Sequence, residues 1–116
     1  MSESKLLKSG EFLVNEVEAN DIFIPEEFNE EQRMIAQTCR DFLEAEVYPK
    51  LDDLDKSDRE LMKSLLKKTG ELGLLGIAVP EEYGGFGQSF ITQMLVAETT
   101  GAGYSFSVAY MAHCGI

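Results

Sequence analysis

Apolar side chains recur at spacings of three and four residues over a long stretch near the middle of the chain, which is the pattern of an amphipathic helix. This stretch predicts a helix from about Glu30 to Tyr48. Asn29 is a suitable N-cap, Gln32 stands three residues later as in a capping box, and Pro49 marks the end. The predicted apolar stripe comprises Ile35, Cys39, Phe42, Leu43 and Val47.

A second helix is predicted after a short acidic linker, LDDLDK, which we expect to be a solvated loop. The sequence Ser57-Asp58-Arg59-Glu60 forms an S-x-x-E capping box with its cap at Ser57. Gly73 is predicted to be the C′ glycine beyond the end of this helix. Its predicted buried face comprises Leu61, Leu65 and Leu72, together with Met62 and Leu66.

The segment Leu72–Gly87, LGLLGIAVPEEYGGFG, connects this helix to the next one. An apolar run leads to Pro80, which has no N–H to donate, and three glycines follow within a few residues. The pattern favours a buried crossover that packs two helices together. A phosphate-binding loop is the weaker alternative, because no Lys follows the glycines and no convincing strand precedes them.

Two further helices are predicted after the crossover. The first runs from about Phe90 to Thr100 with its cap at Ser89, and the second begins near Ser105 after Gly101-Ala102-Gly103. Glu98 falls on the apolar face of the first, so we expect it to be buried, either as a satisfied carboxylate or as a functional acid. The last helix has no C-cap signal before Ile116, and we therefore expect an incomplete domain.

Residues 1–28 carry small apolar clusters among acidic and small polar residues, and they predict a mostly extended segment. Pro25 biases Ile24 toward an extended backbone. A disordered tail as far as about Asp21 is the alternative. The fold expected from the whole pattern is all-α, with about four helices in residues 29–116 and an extended segment in residues 1–28.

The charge distribution narrows the function classes. The 116-residue chain has a formal net charge of −11, which argues against binding to nucleic-acid phosphates and to anionic membrane surfaces. No Lys or Arg follows Lys68, so we expect the second half to be buried or covered. Two cysteines do not make a disulfide framework, which favours a reduced intracellular setting. No apolar run in the sequence is long enough to span a bilayer.

Candidate chemistry within the chain is sparse. His113 is the single histidine, and its neighbour Cys114 points about 100° away on a helix, so a zinc site is not expected. The acidic linker lacks the spacing of a calcium loop. No histidine-paired nucleophile motif is present either. Composition and spacing by themselves name no reaction.

Three stretches nevertheless resemble the N-terminal helical domain of the acyl-CoA dehydrogenases. They are FNEEQRMIAQTCRDFLEAEVYP, LKKTGELGLLGIAVPEEYGGFGQSF and MLVAETTGAGYSFSVAYMAHCGI, which together cover most of residues 28–116. The second is the most specific. The preceding stretch, SGEFLVNEVEANDIFIPEEF, is similar to the very-long-chain type of this family.

The resemblance implies an FAD-dependent oxidation of fatty acyl-CoA to trans-2-enoyl-CoA, in which a carboxylate removes the α-proton and the flavin N5 accepts the β-hydride. It also implies a homo-oligomer that passes electrons to an electron-transfer flavoprotein, in the cytoplasm or, in a eukaryote, in the mitochondrial matrix. The catalytic Glu and the main flavin contacts are expected in a middle β-domain and a C-terminal four-helix bundle. The fragment alone is therefore expected to be inactive and not to bind FAD well.

The resemblance assigns one role within the chain itself. The helix FSVAYMAHCGI corresponds to a helix that lines the acyl-chain pocket, and the matching positions are Ser107, Val108, Met111 and Gly115. Their spacings of one, three and four residues place them on one helical face. The alternative for Met111 is an ordinary core position. Alternatives for the whole protein are an acyl-CoA oxidase or flavin monooxygenase of the same superfamily, or a non-catalytic helical interaction module.

Overall fold

A computed structural model of the protein describes residues 7 and 10–115. The chain divides into two units, the first ending at Glu30 and the second beginning at Glu31. Every regular element in the described ranges is a helix or a helical turn, and these ranges contain no strand. The prediction of an all-α fold is therefore confirmed.

The first unit contains three single turns of 3-10 helix, at Glu11–Leu13, Ala19–Asp21 and Pro25–Glu27. Ile24 is extended, with φ −123° and ψ 157°, as expected for the residue before a proline. The predicted extended segment is thus interrupted by short turns. The part of that prediction that concerns residues 1–6, 8 and 9 lies outside the described residues.

Helix α1 spans Glu30–Phe42 and begins where the sequence predicts. It continues through one π-helical turn, Leu43–Val47, and a 3-10 turn, Tyr48–Lys50, into the short helix α2, Leu51–Asp55. The prediction of a solvated loop after Pro49 is wrong. Leu54 is buried and Leu51 packs against the core, so these two leucines hold the segment in a helix whose aspartates face outward.

Helix α3 spans Arg59–Glu71, and its N-cap is Asp58 rather than Ser57. The Asp58 carboxylate accepts a hydrogen bond from the Leu61 N–H at 3.0 Å, whereas Ser57 lies in the left-handed region with φ 64°. Gly73 has φ 81° just beyond the helix, which confirms the predicted C′ glycine.

Leu72 was expected on the buried face of α3, and this prediction is wrong. Leu72 is 45% exposed because it follows the last turn of the helix, beyond the buried stripe. Thr69 takes the buried position instead, one helical turn after Leu65. Its hydroxyl donates to the carbonyl oxygens of Leu65 and Leu66, so no polar group is left unsatisfied there.

The hydrophobic core of the second unit draws on every helix and on the crossover. Helix α4 spans Phe90–Thr100 and helix α5 spans Ser105–Gly115. The buried cluster comprises Cys39, Phe42, Leu43, Val47, Leu54, Leu65, Leu74, Ile77, Val96, Phe106 and Tyr110. The core therefore closes only when segments separated by most of the chain come together.

Glu46 joins the end of the π-helical turn to α3 through a charged contact. Its carboxylate accepts hydrogen bonds from Lys68 Nζ at 2.6 Å and from Lys50 Nζ at 3.1 Å. The hydrogen bond from Lys68, followed by that from Lys50, lowers the pKa of the Glu46 carboxyl below its ordinary value of 4.5. Because the folded-state pKa is the lower one, Glu46 stabilises the fold above the unfolded pKa, and this stabilisation is lost as pH falls through the folded pKa.

We expect Glu46→Gln to lower the urea midpoint of unfolding at neutral pH by a small amount. The difference from wild type should shrink on acidification and vanish well below pH 4.5. The matched control is Glu44→Gln, since Glu44 is exposed in the same segment. Urea midpoints measured across this pH range check the prediction, and a difference that persists in acid would contradict it.

Candidate functional site

The junction between α4 and α5 fixes where α5 begins. Gly103 is buried, and a Cβ at that position would lie 2.8 Å from Ser107 Oγ and 3.2 Å from the Phe106 ring. The next residue, Tyr104, has φ 50°, which is unusual for a residue with a side chain. The chain therefore turns sharply here, with the start of α5 packed directly against the turn.

Helix α5 has one face in the core and one face outside it. Phe106 and Tyr110 are fully enclosed, and the Tyr110 hydroxyl donates to the Leu74 carbonyl oxygen at 2.7 Å. Val108, by contrast, is 72% exposed, and Met111 is 37% exposed. The buried side of α5 is held to the crossover by this hydrogen bond, and the opposite side is exposed.

The outward side of α5 borders a shallow, wide-open space of about 430 Å³ that is lined by this helix alone, here called the α5 groove. All four residues predicted from the sequence line it, together with one that the prediction missed. The missed residue is Ala112, which stands one helical turn after Val108, so the same periodicity points to it. The α5 groove is lined by Ser107, Val108, Met111, Ala112 and Gly115.

The groove is chemically apolar. Ser107 is its one residue with a hydroxyl group, but that hydroxyl donates to the Thr100 carbonyl oxygen and the residue is only 8% exposed. The remaining lining consists of aliphatic groups, a thioether and a glycine. This surface suits an alkyl chain, whereas a phosphate or a carboxylate would find no free donor on the lining side chains.

Glu98 does not belong to this site, and the prediction that it is buried is wrong. Helix α4 is rotated so that Thr92, Val96 and Thr100 face the core. Their hydroxyls are satisfied, since Thr92 Oγ1 accepts from Gln32 Nε2 and Thr100 Oγ1 donates to the Val96 carbonyl. Threonines can therefore occupy the buried face, which leaves the Glu98 carboxylate in solvent.

The glycines of the crossover serve packing and are not arranged as a phosphate loop. The N–H groups of Gly84, Gly85 and Gly87 donate to carbonyl oxygens of the same crossover, at 2.9, 3.2 and 2.8 Å. A phosphate loop needs such N–H groups free to meet the anion. The packing interpretation is therefore the one that the hydrogen bonds support.

Burial raises the pKa values of three groups, one on α1 and two on α5. The pKa of the Cys39 thiol rises to about 11, and the pKa values of the Cys114 thiol and the Tyr110 hydroxyl are raised as well. All three groups are therefore protonated near neutral pH.

Within the described ranges, no three His, Cys, Asp or Glu side chains come together in a way that could hold a metal ion. A search of the same residues for a helix that could span a membrane found none.

The fold and the groove together define a class of protein: an all-helical domain in which one helix carries an exposed, uncharged face. Residues 29–116 match the family model described as "Acyl-CoA dehydrogenase, N-terminal domain". The chain therefore belongs to the acyl-CoA dehydrogenase family, as the sequence resemblance indicates.

Several relatives carry names from the same family. The chain is 46% identical over 109 residues to a probable acyl-CoA dehydrogenase of Bacillus subtilis (strain 168), covering 94% of this chain and 18% of that protein. It is 35% identical to the mitochondrial short-chain specific acyl-CoA dehydrogenase of Rattus norvegicus, covering 89% of this chain and 26% of that protein.

A solved structure gives the same answer for the fold. The crystal structure of an acyl-CoA dehydrogenase complexed with FAD from Bacillus anthracis superposes with a TM-score of 0.87 at 44% identity. The match covers 95% of this chain and 19% of that chain. This chain thus spans about a fifth to a quarter of the length of these relatives.

Proposed function

We propose that the chain is the N-terminal part of an FAD-dependent acyl-CoA dehydrogenase that oxidises fatty acyl-CoA to trans-2-enoyl-CoA. Within that enzyme, the α5 groove forms one wall of the acyl-chain pocket. The observation that carries the proposal is the meeting of Ser107, Val108, Met111 and Gly115 in one groove. These are the four positions that the family resemblance assigns to the acyl chain.

The dimensions and chemistry of the groove support this role. From residue 107 to residue 115 the helix rises by roughly 12 Å, enough to follow several methylene groups of an extended chain. The lining is apolar, and the Ser107 hydroxyl is already engaged with Thr100. Burying alkyl surface against such a wall is favourable at roughly 25 cal/mol per Å².

The groove does not fit FAD, because its lining side chains offer neither cations nor free donors to the phosphates and the ring system. We propose that FAD and the catalytic carboxylate come from parts of the full-length enzyme outside these 116 residues. FAD held by those parts would supply the hydride acceptor for the oxidation. The residues of this chain orient the alkyl chain and exclude water from it.

Filling the groove provides the main test. We expect Val108→Trp, made in the full-length enzyme, to lower kcat/KM for long straight-chain acyl-CoA by roughly tenfold, because the indole takes the space of the alkyl chain. Short acyl-CoA should be affected less. The matched control is Met34→Trp, since Met34 is exposed on α1 and does not line the groove. Equal losses for the two variants, or none for either, would count against the proposed wall.

A second test concerns the cofactor. We expect the 116-residue chain alone neither to bind FAD tightly nor to oxidise acyl-CoA. Titration of FAD with the chain, followed by flavin fluorescence, should show no saturable change, whereas the full-length enzyme should retain flavin through gel filtration. Saturable binding of flavin to the chain alone would show that this domain has a flavin site of its own.

The electron acceptor and the assembly state follow from the same proposal. We propose an electron-transfer flavoprotein as the acceptor and a homo-oligomeric enzyme, located in the cytoplasm or, in a eukaryote, in the mitochondrial matrix. Reduction of electron-transfer flavoprotein without hydrogen peroxide identifies a dehydrogenase, while hydrogen peroxide from oxygen identifies an acyl-CoA oxidase. A profile of activity against acyl length tests the resemblance of residues 9–28 to the very-long-chain type.

A further inference from the structure

The joint between α4 and α5 contains a backbone conformation that residues with a side chain rarely adopt. Tyr104 has φ 50° and ψ −118°. This combination is open to glycine but costly for a residue that carries a Cβ. Tyr104 is also 70% exposed, so most of its ring meets solvent. Packing of its own side chain therefore does not offset the backbone strain at Tyr104.

Tyr104 nevertheless occupies the N-cap position of α5. Its carbonyl oxygen accepts a hydrogen bond from the Val108 N–H at 3.3 Å, four residues later. An N-cap residue usually has an extended backbone and a short polar side chain, which accepts from an N–H two or three residues further on. Tyr104 has neither property, so both its backbone and its side chain make it a poor N-cap.

The residue after Tyr104 would be a better N-cap but does not act as one. Ser105 is the first residue of α5, and its Oγ is buried without a hydrogen-bond partner in the described part of the chain. A buried hydroxyl with no partner carries an uncompensated desolvation penalty. If α5 began one residue later, Ser105 Oγ would accept from the N–H of Ser107 or Val108. The same shift would let Tyr104 return to a negative φ.

Tertiary packing opposes that shift. A Cβ at Gly103 would lie 2.8 to 3.3 Å from side-chain atoms of Ser107, Phe106 and Leu43, so the joint is tightly packed. The Ser107 hydroxyl also donates to the Thr100 carbonyl oxygen. Strained backbone angles persist only where surrounding contacts fix them. Local chemistry thus favours a later start of α5, while packing favours the present one.

We propose that the first turn of α5 is a conformational switch with two states. In the present state Tyr104 is the N-cap and the Ser107 hydroxyl is bound to Thr100. In the second state Ser105 is the N-cap, and the Ser107 hydroxyl leaves Thr100. The remainder of α5 stays in place, because Tyr110 is enclosed in the core.

The switch changes the chemistry of one end of the α5 groove. Ser107 and Val108 line that end and belong to the turn that rearranges. In the present state the Ser107 hydroxyl is engaged within the fold, whereas in the second state it becomes available at the surface. The switch depends only on the geometry of the joint, so it does not rest on the proposed function of the groove.

Fluorine NMR tests the switch directly. The probe is 3-fluorotyrosine, incorporated at Tyr104 alone in the full-length enzyme. We expect two signals, or one signal with relaxation dispersion, because the ring changes its surroundings between the states. Ser105→Ala should lower the minor population by roughly tenfold, since it removes both the unpaired hydroxyl and the alternative cap. Ser105→Asp should raise that population by roughly tenfold, because an aspartate is a good N-cap and is costly when buried unpaired.

Ser105→Asn, an uncharged N-cap, replaces Ser105→Asp if the carboxylate impairs folding, and it should shift the population in the same direction. Ser89→Ala is the matched control, because the Ser89 hydroxyl caps α4 and should not affect the fluorine signal. A single sharp signal without dispersion in both the wild type and the Ser105→Asp or Ser105→Asn variant overturns the switch. Shifts in the same direction for Ser105→Ala and the capping variant also overturn it.

A second measurement tests the strain on which the switch depends. Tyr104→Gly should raise the urea midpoint of unfolding of the full-length enzyme, because glycine adopts the observed angles without strain. Tyr83→Gly is the control: Tyr83 is 76% exposed and has no positive φ, so this change should lower the midpoint. A midpoint lowered equally by both changes would remove the basis of the proposal. Neither measurement uses turnover, so their outcome is independent of the proposed function.

Discussion

Phe106→Ala should destabilise the chain by about 3–5 kcal/mol, the range for truncating a fully buried aromatic side chain. Phe106 has no exposed surface, and it sits where the helices meet. Its ring lies 5.7 Å from that of Phe42 and 6.3 Å from that of Tyr110, measured between centroids. Truncation removes both aromatic contacts and leaves a cavity between α1 and α5.

The measurement is the free energy of unfolding from urea titration. Phe90→Ala is the control, since Phe90 is 62% exposed at the start of α4 and its loss should cost about 0.5 kcal/mol or less. Phe106→Leu should give an intermediate loss because it fills part of the cavity. Similar losses for Phe106→Ala and Phe90→Ala would contradict the central position of Phe106 in the core.

Gly85→Ala should lower the free energy of unfolding by about 3 kcal/mol. The new methyl group would clash with backbone atoms that cannot move aside. A Cβ at Gly85 would lie 2.0 Å from the Val79 carbonyl oxygen and 2.4 Å from Val79 Cβ. That carbonyl oxygen also accepts the hydrogen bond from the Gly87 N–H at 2.8 Å. Relieving the clash therefore breaks the bond that closes the crossover.

Substitutions at two other glycines serve as controls that distinguish the steric clash at Gly85 from the cost of an unfavourable backbone angle. Gly101 has nothing near its Cβ position and a helical backbone, so Gly101→Ala should be neutral or slightly stabilising. Gly84 is equally open but has φ 86°, so Gly84→Ala should cost about 1–2 kcal/mol from backbone strain alone. If Gly85→Ala costs no more than Gly84→Ala, the crossover is not closed as tightly as its geometry implies.

The predicted helices were most accurate where local chemistry sets the boundary. Ser89 caps α4, with its hydroxyl accepting from the Thr92 N–H, and Gly73 terminates α3 in the left-handed region. Both effects involve only a few neighbouring residues, so sequence spacing is enough to find them. The cap of α3 was misplaced by one residue because Ser57 and Asp58 are both good caps and only the backbone distinguishes them.

The predictions failed where burial depends on distant segments. Leu51 and Leu54 turn an apparently solvated acidic linker into α2, because the core of the second unit offers them a place. Glu98 faces solvent because the apolar residues of α4 are spread around the helix, and its rotation is set by contacts such as that of Gln32 with Thr92. Periodicity cannot choose a face when several faces are equally apolar.

The sequence by itself determined the helical class, the charge asymmetry, the family and four residues of the groove. These properties depend on local propensity, on composition and on motifs that can be read along the chain. Only the tertiary structure decided which helix faces are buried and that the Ser107 hydroxyl donates to the Thr100 carbonyl oxygen. The reason is physical: burial depends on close packing between residues that are far apart in the chain, so no single segment contains the information.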